Sequence, residues 1–337
     1  MAYKVKLEPS GKQFPVEEGQ TILDAAMHHG INLPYGCRNG ACGDCKGKVV
    51  SGEVDRGEYK VTALPEAERD QGYALFCQAK AQSDLVLEAF EVDDARKVEV
   101  RRLPCRVHDF RKLTHDIMEV RLKLPAAERL QFLAGQYIEV ILKDGRRRAF
   151  SIANSPLEDE FLTLHIRYVP GGEFTEHVFQ GLKAKEIWNF EGPLGNFYLR
   201  DSTRPAILVA GGTGLGPIKA MLETAFEEGI ERDFHLFFGV RSSEDLYYTE
   251  LLDQWQQAHP NFRWTPALSH PGAEDADWSG ETGYLHEVIP CHYGDLSGYE
   301  GYLAGPPPMV EAATGTLQEL GIPSDHLFSD AFTYSTH

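Results

Sequence analysis

The chain has 337 residues, of which 42% are hydrophobic and 25% charged, and 51 acidic against 33 basic residues give a formal net charge of −18. This length predicts two or three globular domains, and the acidic balance argues against a nucleic-acid-binding protein, which needs a basic face. No apolar run approaches the roughly 20 residues that span a membrane, and six cysteines are too few for a disulfide-rich scaffold.

The first ten residues, MAYKVKLEPS, contain no apolar segment of the kind that a secretory signal requires. We therefore expect a cytoplasmic protein in a thiol-reducing compartment, where clustered cysteines favour metal ligation over disulfides. The excess of acidic residues favours solubility, and it could also provide a surface for a basic patch on a protein partner. We expect neither a membrane nor a nucleic acid as a partner.

Residues 1–91 combine short alternating strand patterns with one helix and a cysteine-rich loop. The helix is predicted from Thr21 to His29, with Thr21 as its N-cap and Gly30 as the residue that ends it. The charged run 92–101 has no helical apolar face, so it is predicted to be a linker.

The rest of the chain changes texture near residue 204. Residues 102–203 show closely spaced strand patterns, including one at 196–200, and they predict an antiparallel β-barrel. Residues 204–337 alternate buried strand patterns with helical ones, including a helix over 244–258, and they predict a Rossmann-like parallel sheet. The expected fold is a multidomain chain of α+β and α/β modules.

The cysteines Cys37, Cys42 and Cys45 form a C-x4-C-x2-C pattern, and Cys77 follows after 31 further residues. This is the plant-type spacing of a [2Fe-2S] site, in which a tight loop supplies most of the thiolates and a distant segment the last. Zinc sites more often show two short cysteine pairs, a disulfide is disfavoured by the compartment, and a catalytic thiol needs no sulfur neighbours. The four cysteines are therefore the predicted metal ligands.

The sequence around that loop, residues 21–54, resembles the N-terminal domain of oxygenase reductase components, and residues 1–91 resemble a plant-type ferredoxin. The resemblance implies a β-grasp fold with the cluster at one exposed edge. The residues expected to border a partner's docking surface are Tyr35, Arg38, Asn39 and Ala41. Charge reversal at Arg38 is expected to slow electron transfer to the partner and to leave flavin reduction intact.

An iron–sulfur cluster carries one electron, whereas a hydride carries two, so a chain that uses both needs a group such as flavin to divide the pair. The sequence RRAFSIAN (147–154) resembles the R-x-[YF]-S motif of the ferredoxin–NADP reductase superfamily. The resemblance implies that Arg148 pairs with the flavin pyrophosphate and that Phe150 packs on the isoalloxazine ring. It also implies that Ser151 donates a hydrogen bond near flavin N5, as the catalytic residue.

A second segment, HIRYVPGGEFT (165–175), resembles the same superfamily, although its PGGE turn alone would also suit a hairpin. The resemblance implies that Ile166 and Arg167 lie along the AMP half of the flavin cofactor. Gly172 and Thr175 would form a helix N-terminus that seats a phosphate, with Thr175 as the cap.

The end of the chain, HLFSDAFTYSTH, resembles the closing strand of that superfamily. This implies that Phe332 covers the flavin face, with Tyr334 as a rival, while a plain tail remains the alternative. Relatives whose ferredoxin domain precedes the flavin domain generally use FAD rather than FMN, so FAD is the expected flavin.

The segment AILVAGGTGLGPIKAML (206–222) has the pattern of a buried strand, a glycine turn and a helix. Such a turn lets the backbone approach a pyrophosphate at a helix N-terminus. Its G-G-T-G-x-x-P form resembles the same superfamily, with a proline predicted at the first helical position. The nucleotide-binding residues implied are Gly211, Gly212, Thr213, Gly214 and Pro217.

A later segment, YLAGPPPM (302–309), resembles the superfamily's C-G-P-P-x-M element, which borders the nicotinamide. Ala304 stands where relatives usually have cysteine, which we expect to slow hydride alignment without abolishing activity. The residues implied at this element are Gly305, Pro306, Pro307 and Met309. Between the two segments, Glu244 and Asp245 favour NADH, while Arg241 and Ser242 could accommodate NADPH instead.

The three modules, 1–91, 102–203 and 204–337, together resemble the reductase component of multicomponent oxygenases, such as naphthalene dioxygenase and phenol hydroxylase. The resemblance implies an NAD(P)H-dependent oxidoreductase that moves hydride from NADH to FAD, and single electrons through the [2Fe-2S] cluster to an oxygenase. Two alternatives stay open: a reductase for a deoxysugar dehydratase (CDP-6-deoxy-glucoseen reductase type), and an electron carrier with a degenerate NAD site. We expect a monomer, and no motif identifies the acceptor.

Overall fold

The computed structural model describes residues 2–91 and 98–332, which belong to two separate compact units. The predicted linker lies mostly outside the described residues, and its last residue, Arg101, begins a strand. The predicted domain boundaries therefore stay predictions. Among the described helices there is no candidate for a membrane span.

The first unit is a mixed sheet with a short helix packed on it. Its elements are β1 (Ala2–Glu8), β2 (Gln13–Glu17), α1 (Ile22–His28), β3 (Lys46–Ser51), β4 (Val54–Asp55), α2 (Glu66–Asp70), β5 (Tyr73–Leu75), β6 (Lys80–Ala81) and β7 (Leu85–Glu88). The main sheet has the order β2-β1-β7-β3-β5, in which β1 and β7 are parallel and the other neighbours antiparallel. The helix begins as predicted, because the Thr21 hydroxyl accepts the Asp24 N–H at 3.2 Å.

The second unit begins with a β-barrel. Its elements are β8 (Arg101–Lys112), β9 (Ile117–Lys123), β10 (Tyr137–Ile141), β11 (Arg147–Ser151), β12 (Phe161–Arg167), α3 (Glu173–Gln180) and β13 (Ile187–Leu194). The order is β11-β10-β13-β8-β9-β12, all neighbouring pairs are antiparallel, and a bridge between Ile152 and Leu164 connects the two outer strands. The antiparallel barrel predicted from the strand spacing is confirmed, and it has six strands.

The same unit continues into a parallel sheet with helices between its strands. Its elements are β14 (Ala206–Gly211), α4 (Leu215–Glu227), β15 (Phe234–Val240), α5 (Thr249–Ala258), β16 (Phe262–Leu268), β17 (Glu281–Thr282), α6 (Leu285–His292), β18 (Glu300–Gly305), α7 (Pro307–Glu319) and β19 (Leu327–Ala331). The sheet order is β17-β16-β15-β14-β18-β19. The direction of strand order reverses between β14 and β18, and ligands of such sheets bind in the crevice at the carboxyl ends of the strands there.

The barrel and the parallel sheet share one hydrophobic core. Ile117, Ala134 and Phe197 from the barrel region belong to the same buried cluster as Leu208 and Met221 from the sheet. This continuity explains why residues 98–332 form one compact unit. It also means that barrel side chains can position residues of the sheet.

Two predicted elements differ from the structure. The helix expected over 244–258 begins only at Thr249, because Tyr248 adopts the left-handed conformation at φ 59°. Residues 196–200 form no strand, since the Arg200 N–H donates to the Tyr302 hydroxyl at 2.9 Å instead of to a neighbouring strand. In both places the hydrophobic pattern reflects packing between barrel and sheet.

Candidate functional site

The predicted metal ligands come together at one end of the first unit. Cys37, Cys42 and Cys45 lie on the loop between α1 and β3, and Cys77 follows β5. The thiols form two hydrogen-bonded pairs, Cys37 with Cys42 and Cys45 with Cys77, and the bond from Cys42 lowers the pKa of Cys37 to about 6. Two pairs of sulfurs suit a centre of two irons, each of which takes two thiolates.

The backbone of this loop directs amide groups at the sulfurs. The N–H groups of Ala41 and Cys42 point at Cys37 Sγ, at 3.4 and 3.3 Å, and the Cys37 N–H points at Cys42 Sγ at 3.4 Å. Gly40 has φ +75°, and a Cβ there would lie 2.9 Å from the Glu58 carbonyl oxygen, so the loop requires glycine at this point. The sulfur pairs and their amide donors fit a [2Fe-2S] cluster.

The residues expected at the partner surface are only partly accessible. Asn39 is exposed, but Tyr35 is only 9% exposed and therefore forms little of any docking surface. The Arg38 guanidinium donates to Asp24 Oδ1 at 2.8 Å, and the Arg38 side chain is 16% exposed. Arg38 thus fastens the cysteine loop to α1, a role that the loop sequence alone did not indicate.

The residues of the R-x-[YF]-S motif lie on the barrel strand β11. Arg148 and Phe150 are two positions apart and so share one face of the strand, and the Phe150 ring lies 5.5 Å from that of Phe174. Ser151 Oγ donates to Asp330 Oδ2 at 3.1 Å, which joins the end of β11 to β19 of the parallel sheet. Asp330 was missed in the sequence, since no local motif relates it to a residue 179 positions earlier.

In the second flavin segment, the structure limits how Ile166 could contact a cofactor and shows a further contact of Arg167. Ile166 is fully buried in the barrel core, so its side chain does not line a cofactor site and only its backbone could. Arg167 Nε donates to Asp116 Oδ2 at 2.7 Å. Arg167 Nη1 also lies 3.4 Å from the position that a Cβ would occupy at Gly212, so Arg167 reaches the glycine turn of the parallel sheet.

The helix that follows this segment begins earlier than predicted. Gly172 is the N-cap of α3, whereas Thr175 is its third residue and caps nothing. The Thr175 hydroxyl instead accepts the Val169 N–H at 3.1 Å and lies 3.0 Å from the Gly172 carbonyl oxygen. Its hydroxyl closes the turn because a hydroxyl inside the first helical turn can reach back to the preceding backbone.

The glycine turn is the accessible part of an otherwise buried segment. Of residues 206–222, all are buried except Gly212 and Thr213. These two residues and Gly214 form a 3₁₀ turn that leads into α4. Pro217 is the third residue of α4, not the first as predicted, and proline fits there because N–H groups of the first turn have no helical partner.

The GPPPM element packs directly on that turn. A Cβ built at Gly211 would lie 3.0 Å from both Pro306 Cδ and Met309 Cε. The Phe332 N–H donates to the Gly305 carbonyl oxygen at 2.9 Å, so the predicted aromatic cover also lies at this point. The structure therefore brings these five predicted residues together at the carboxyl ends of β14 and β18.

Two further residues of this element, Pro307 and Ala304, lie in different surroundings. Pro307 begins α7 behind Pro306. Ala304 is fully buried, and a Cβ at Gly214 would lie 1.9 Å from the Ala304 carbonyl oxygen. The Ala304 carbonyl therefore packs against the glycine turn at Gly214, and Ala304 exposes no surface to a ligand. Tyr334 lies outside the described residues.

The turn after β15 carries the residues expected to contact the adenine ribose. Arg241 is exposed, while the Asp245 carboxylate accepts the Ser242 N–H at 3.3 Å. Asp245 Oδ1 also lies 3.4 Å from Nδ1 of His115, which comes from the turn between β8 and β9 of the barrel. His115 was missed because its partner is distant in the sequence.

Comparison with known proteins follows the same division of the chain. Residues 5–82 match the 2Fe-2S iron-sulfur cluster binding domain, residues 104–198 the oxidoreductase FAD-binding domain, and residues 208–315 the oxidoreductase NAD-binding domain. These matches confirm the predicted cofactor set of iron–sulfur cluster, FAD and nicotinamide nucleotide.

Similarity extends over the whole chain. It is 35% identical over 335 residues to the CDP-6-deoxy-L-threo-D-glycero-4-hexulose-3-dehydrase reductase of Yersinia pestis, covering 99% of this chain and 100% of that one. It is 40% identical over 324 residues to the phenol hydroxylase P5 protein of Acinetobacter pittii, covering 95% and 91%. The solved structure of the Amycolatopsis cytochrome P450 reductase GcoB superposes with a TM-score of 0.85 at 34% identity, covering 98% and 99%. The chain therefore belongs to the family of reductases that join a [2Fe-2S] domain to FAD-binding and NAD-binding oxidoreductase domains.

Proposed function

We propose that this reductase takes a hydride from NADH and delivers single electrons to the oxygenase component of a monooxygenase or dioxygenase system. The observation that carries the proposal is the meeting of the predicted nucleotide residues at one switch point, beside the flavin motif and in a chain that also pairs four cysteines. When bound, FAD accepts a hydride and returns single electrons, which a [2Fe-2S] cluster carries one at a time.

The residues of this chain would bind and orient the nucleotide. The accessible backbone of Gly212 and Thr213, at the N-terminus of α4, offers N–H groups to a pyrophosphate. The Ser151 hydroxyl, held by Asp330, lies at the end of the flavin-motif strand and would orient the reacting edge of the flavin. Among the described residues none is required as a nucleophile or a general base, because the cofactors carry the chemistry.

The decisive experiment is anaerobic mixing of the holoenzyme with NADH. We expect the flavin absorbance to bleach first and the cluster absorbance to follow. If both cofactors stay oxidised, the proposed function is wrong, and an electron carrier with a degenerate NAD site becomes the better description. Partial bleaching of the flavin alone would place the fault in the transfer to the cluster.

We propose NADH as the preferred nucleotide. Glu244 and Asp245 lie in the turn that follows β15, where sheets of this kind read the ribose, and carboxylates suit a free 2′-hydroxyl better than a 2′-phosphate. Steady-state kinetics with ferricyanide as acceptor test this preference, and a kcat/KM for NADPH equal to that for NADH would contradict it.

The acceptor has two candidates, because relatives of both kinds match nearly the whole chain. The 40% identity to a phenol hydroxylase protein supports an oxygenase, and the match to a dehydrase reductase over 99% of the chain supports a deoxysugar dehydratase. Affinity capture of the acceptor from the source cells, followed by NADH-driven turnover with the purified acceptor, distinguishes them. Product formation that consumes oxygen supports the oxygenase, whereas oxygen-independent turnover of a nucleotide-linked hexulose supports the dehydratase.

We also propose that the reductase acts as a cytoplasmic monomer. The cluster cysteines form no disulfide with one another, which suits a reducing compartment, and small transient faces suffice for electron transfer between proteins. Analytical ultracentrifugation of the holoenzyme and cell fractionation test the two statements.

A further inference from the structure

A buried tyrosine forms a hydrogen bond with the backbone of the glycine turn. The Tyr247 hydroxyl donates to the Gly212 carbonyl oxygen at 3.1 Å, and Tyr247 is only 4% exposed. The same carbonyl accepts the Leu215 N–H within the turn. Gly212 itself has φ +54°, a conformation that costs little for glycine and leaves the peptide free to tilt unless something holds it.

A histidine of the barrel supports that tyrosine. His165 Nδ1 lies 3.3 Å from the Tyr247 hydroxyl oxygen, and the two rings meet edge to face at 5.4 Å. Burial lowers the pKa of His165 to about 3, so the ring is neutral near pH 7. Because the Tyr247 hydrogen goes to Gly212, His165 must carry its own hydrogen on Nδ1 and donate it. Its Nε2 is buried without a hydrogen-bond partner among the described residues.

Peptide geometry transmits this restraint to the open side of the turn. In a trans peptide the C=O and the following N–H point in opposite directions. Since the Gly212 carbonyl points at Tyr247, the Thr213 N–H points away from it. Gly212 and Thr213 are the accessible residues of the turn, so this N–H faces the side from which a ligand can approach.

We propose that Tyr247, supported by His165, is a positioning residue that fixes the Gly212–Thr213 peptide so that the Thr213 N–H meets the pyrophosphate of the nicotinamide nucleotide. The role rests on the proposed function, because it takes the turn as the NADH site. His165 lies on β12, which also carries Arg167 beside Gly212, so the nucleotide turn takes its orientation from the flavin barrel.

The test is Tyr247→Phe in the holoenzyme, with ferricyanide as the electron acceptor. Loss of one neutral hydrogen bond should raise the NADH KM about three- to tenfold and leave kcat within about twofold. Binding of NAD⁺ and ADP-ribose should weaken by the same factor, because both contain the pyrophosphate. AMP lacks it, so AMP affinity should not change. A purely structural role would affect AMP as well.

The matched control is Tyr293→Phe, which removes a hydroxyl that lies 2.9 Å from Nδ1 of another buried histidine, His235, in the same domain. This variant should keep the wild-type KM. His165→Gln should also raise the NADH KM. The double variant His165→Gln with Tyr247→Phe should have the same NADH KM as Tyr247→Phe alone, because His165 acts through Tyr247. Additive effects would overturn the role of His165.

An NADH KM within twofold of wild type for Tyr247→Phe, or an equal loss of AMP affinity, would overturn the proposal as a whole. A wild-type enzyme that binds NAD⁺ but is not reduced by NADH would instead refute the proposed function. The binding assays would still decide the positioning role of Tyr247, by the same comparison of NAD⁺ affinity with AMP affinity.

Discussion

The glycine turn provides a sharp test of the nucleotide site through Gly214→Ala. Gly214 has φ −60°, so alanine fits its backbone conformation and the effect must come from space. A Cβ at this position would lie 1.9 Å from the Ala304 carbonyl oxygen, whereas real Cβ atoms come no closer than 3.0 Å. The turn or β18 must therefore move by at least about 1 Å. A misplacement of that size can cost about 100-fold in a reaction that needs alignment.

We expect Gly214→Ala to bind NADH at least tenfold more weakly and to reduce the flavin about 100-fold more slowly, while the cluster absorbance stays intact. Anaerobic stopped-flow measurement of flavin bleaching separates the two effects. The matched control is Gly315→Ala in α7, where a Cβ meets nothing within 4 Å and alanine should stabilise the helix by about 1 kcal/mol. If Gly214→Ala reduces its flavin at the wild-type rate with the wild-type KM, the turn does not hold the nucleotide.

Four further outcomes are expected. Cys77→Ser should lose the cluster absorbance and transfer to a protein acceptor but keep NADH–ferricyanide activity, and loss of both would mean that the first unit is needed for hydride transfer. Arg38→Glu should slow electron transfer to the acceptor, because the new carboxylate repels Asp24, which holds the cysteine loop to α1. Adding Asp24→Arg to this variant should restore the ion pair and recover the cluster content. If cluster content recovers but electron transfer stays slow, the docking surface includes Arg38. Ser151→Ala should slow flavin reduction about tenfold at unchanged NADH affinity, because one hydrogen bond is lost beside the flavin, and a change in KM alone would contradict this placement. Burial holds the pKa of His165 near 3, against about 6.5 in the unfolded chain. The free energy of unfolding should therefore fall by about 1.4 kcal/mol per pH unit as the pH drops below 6.5. Denaturation experiments on His165→Gln should show a correspondingly smaller loss of stability over the same pH range.

The placement of residues that depend on neighbours in the sequence was predictable. The cysteine spacing predicts the cysteine cluster because a short loop must supply adjacent ligands. The glycine-rich segment predicts the turn because a strand, a turn and a helix follow one another directly. The exact position of a cap was less predictable. Thr175 and Pro217 are each displaced by a few residues, because a helix starts where hydrogen-bond partners run out and not where a favoured residue type occurs.

The inward orientation of the Ile166 side chain was predictable from the sequence. Leu162, Leu164 and Ile166 alternate along β12 and all point into the barrel core. Arg167 lies on the opposite face of the strand, so its side chain can approach a cofactor, whereas Ile166 could offer only its backbone. Contacts such as those of Asp330 and His115 had no such signal, because their partners are 179 and 130 residues away.

These distant contacts explain why the flavin and nucleotide segments lie within one compact unit. Ser151 joins the barrel to β19 on one side of the switch point, and Tyr247 receives His165 from the barrel on the other. Two restraints on separate strands fix the relative orientation of barrel and sheet more firmly than either alone, and hydride transfer depends on that orientation. The cluster cysteines belong to the other unit. Substitutions among them should therefore change where electrons go and leave the rate of hydride transfer intact, whereas changes at Ser151 should slow hydride transfer and changes at Tyr247 should weaken nucleotide binding.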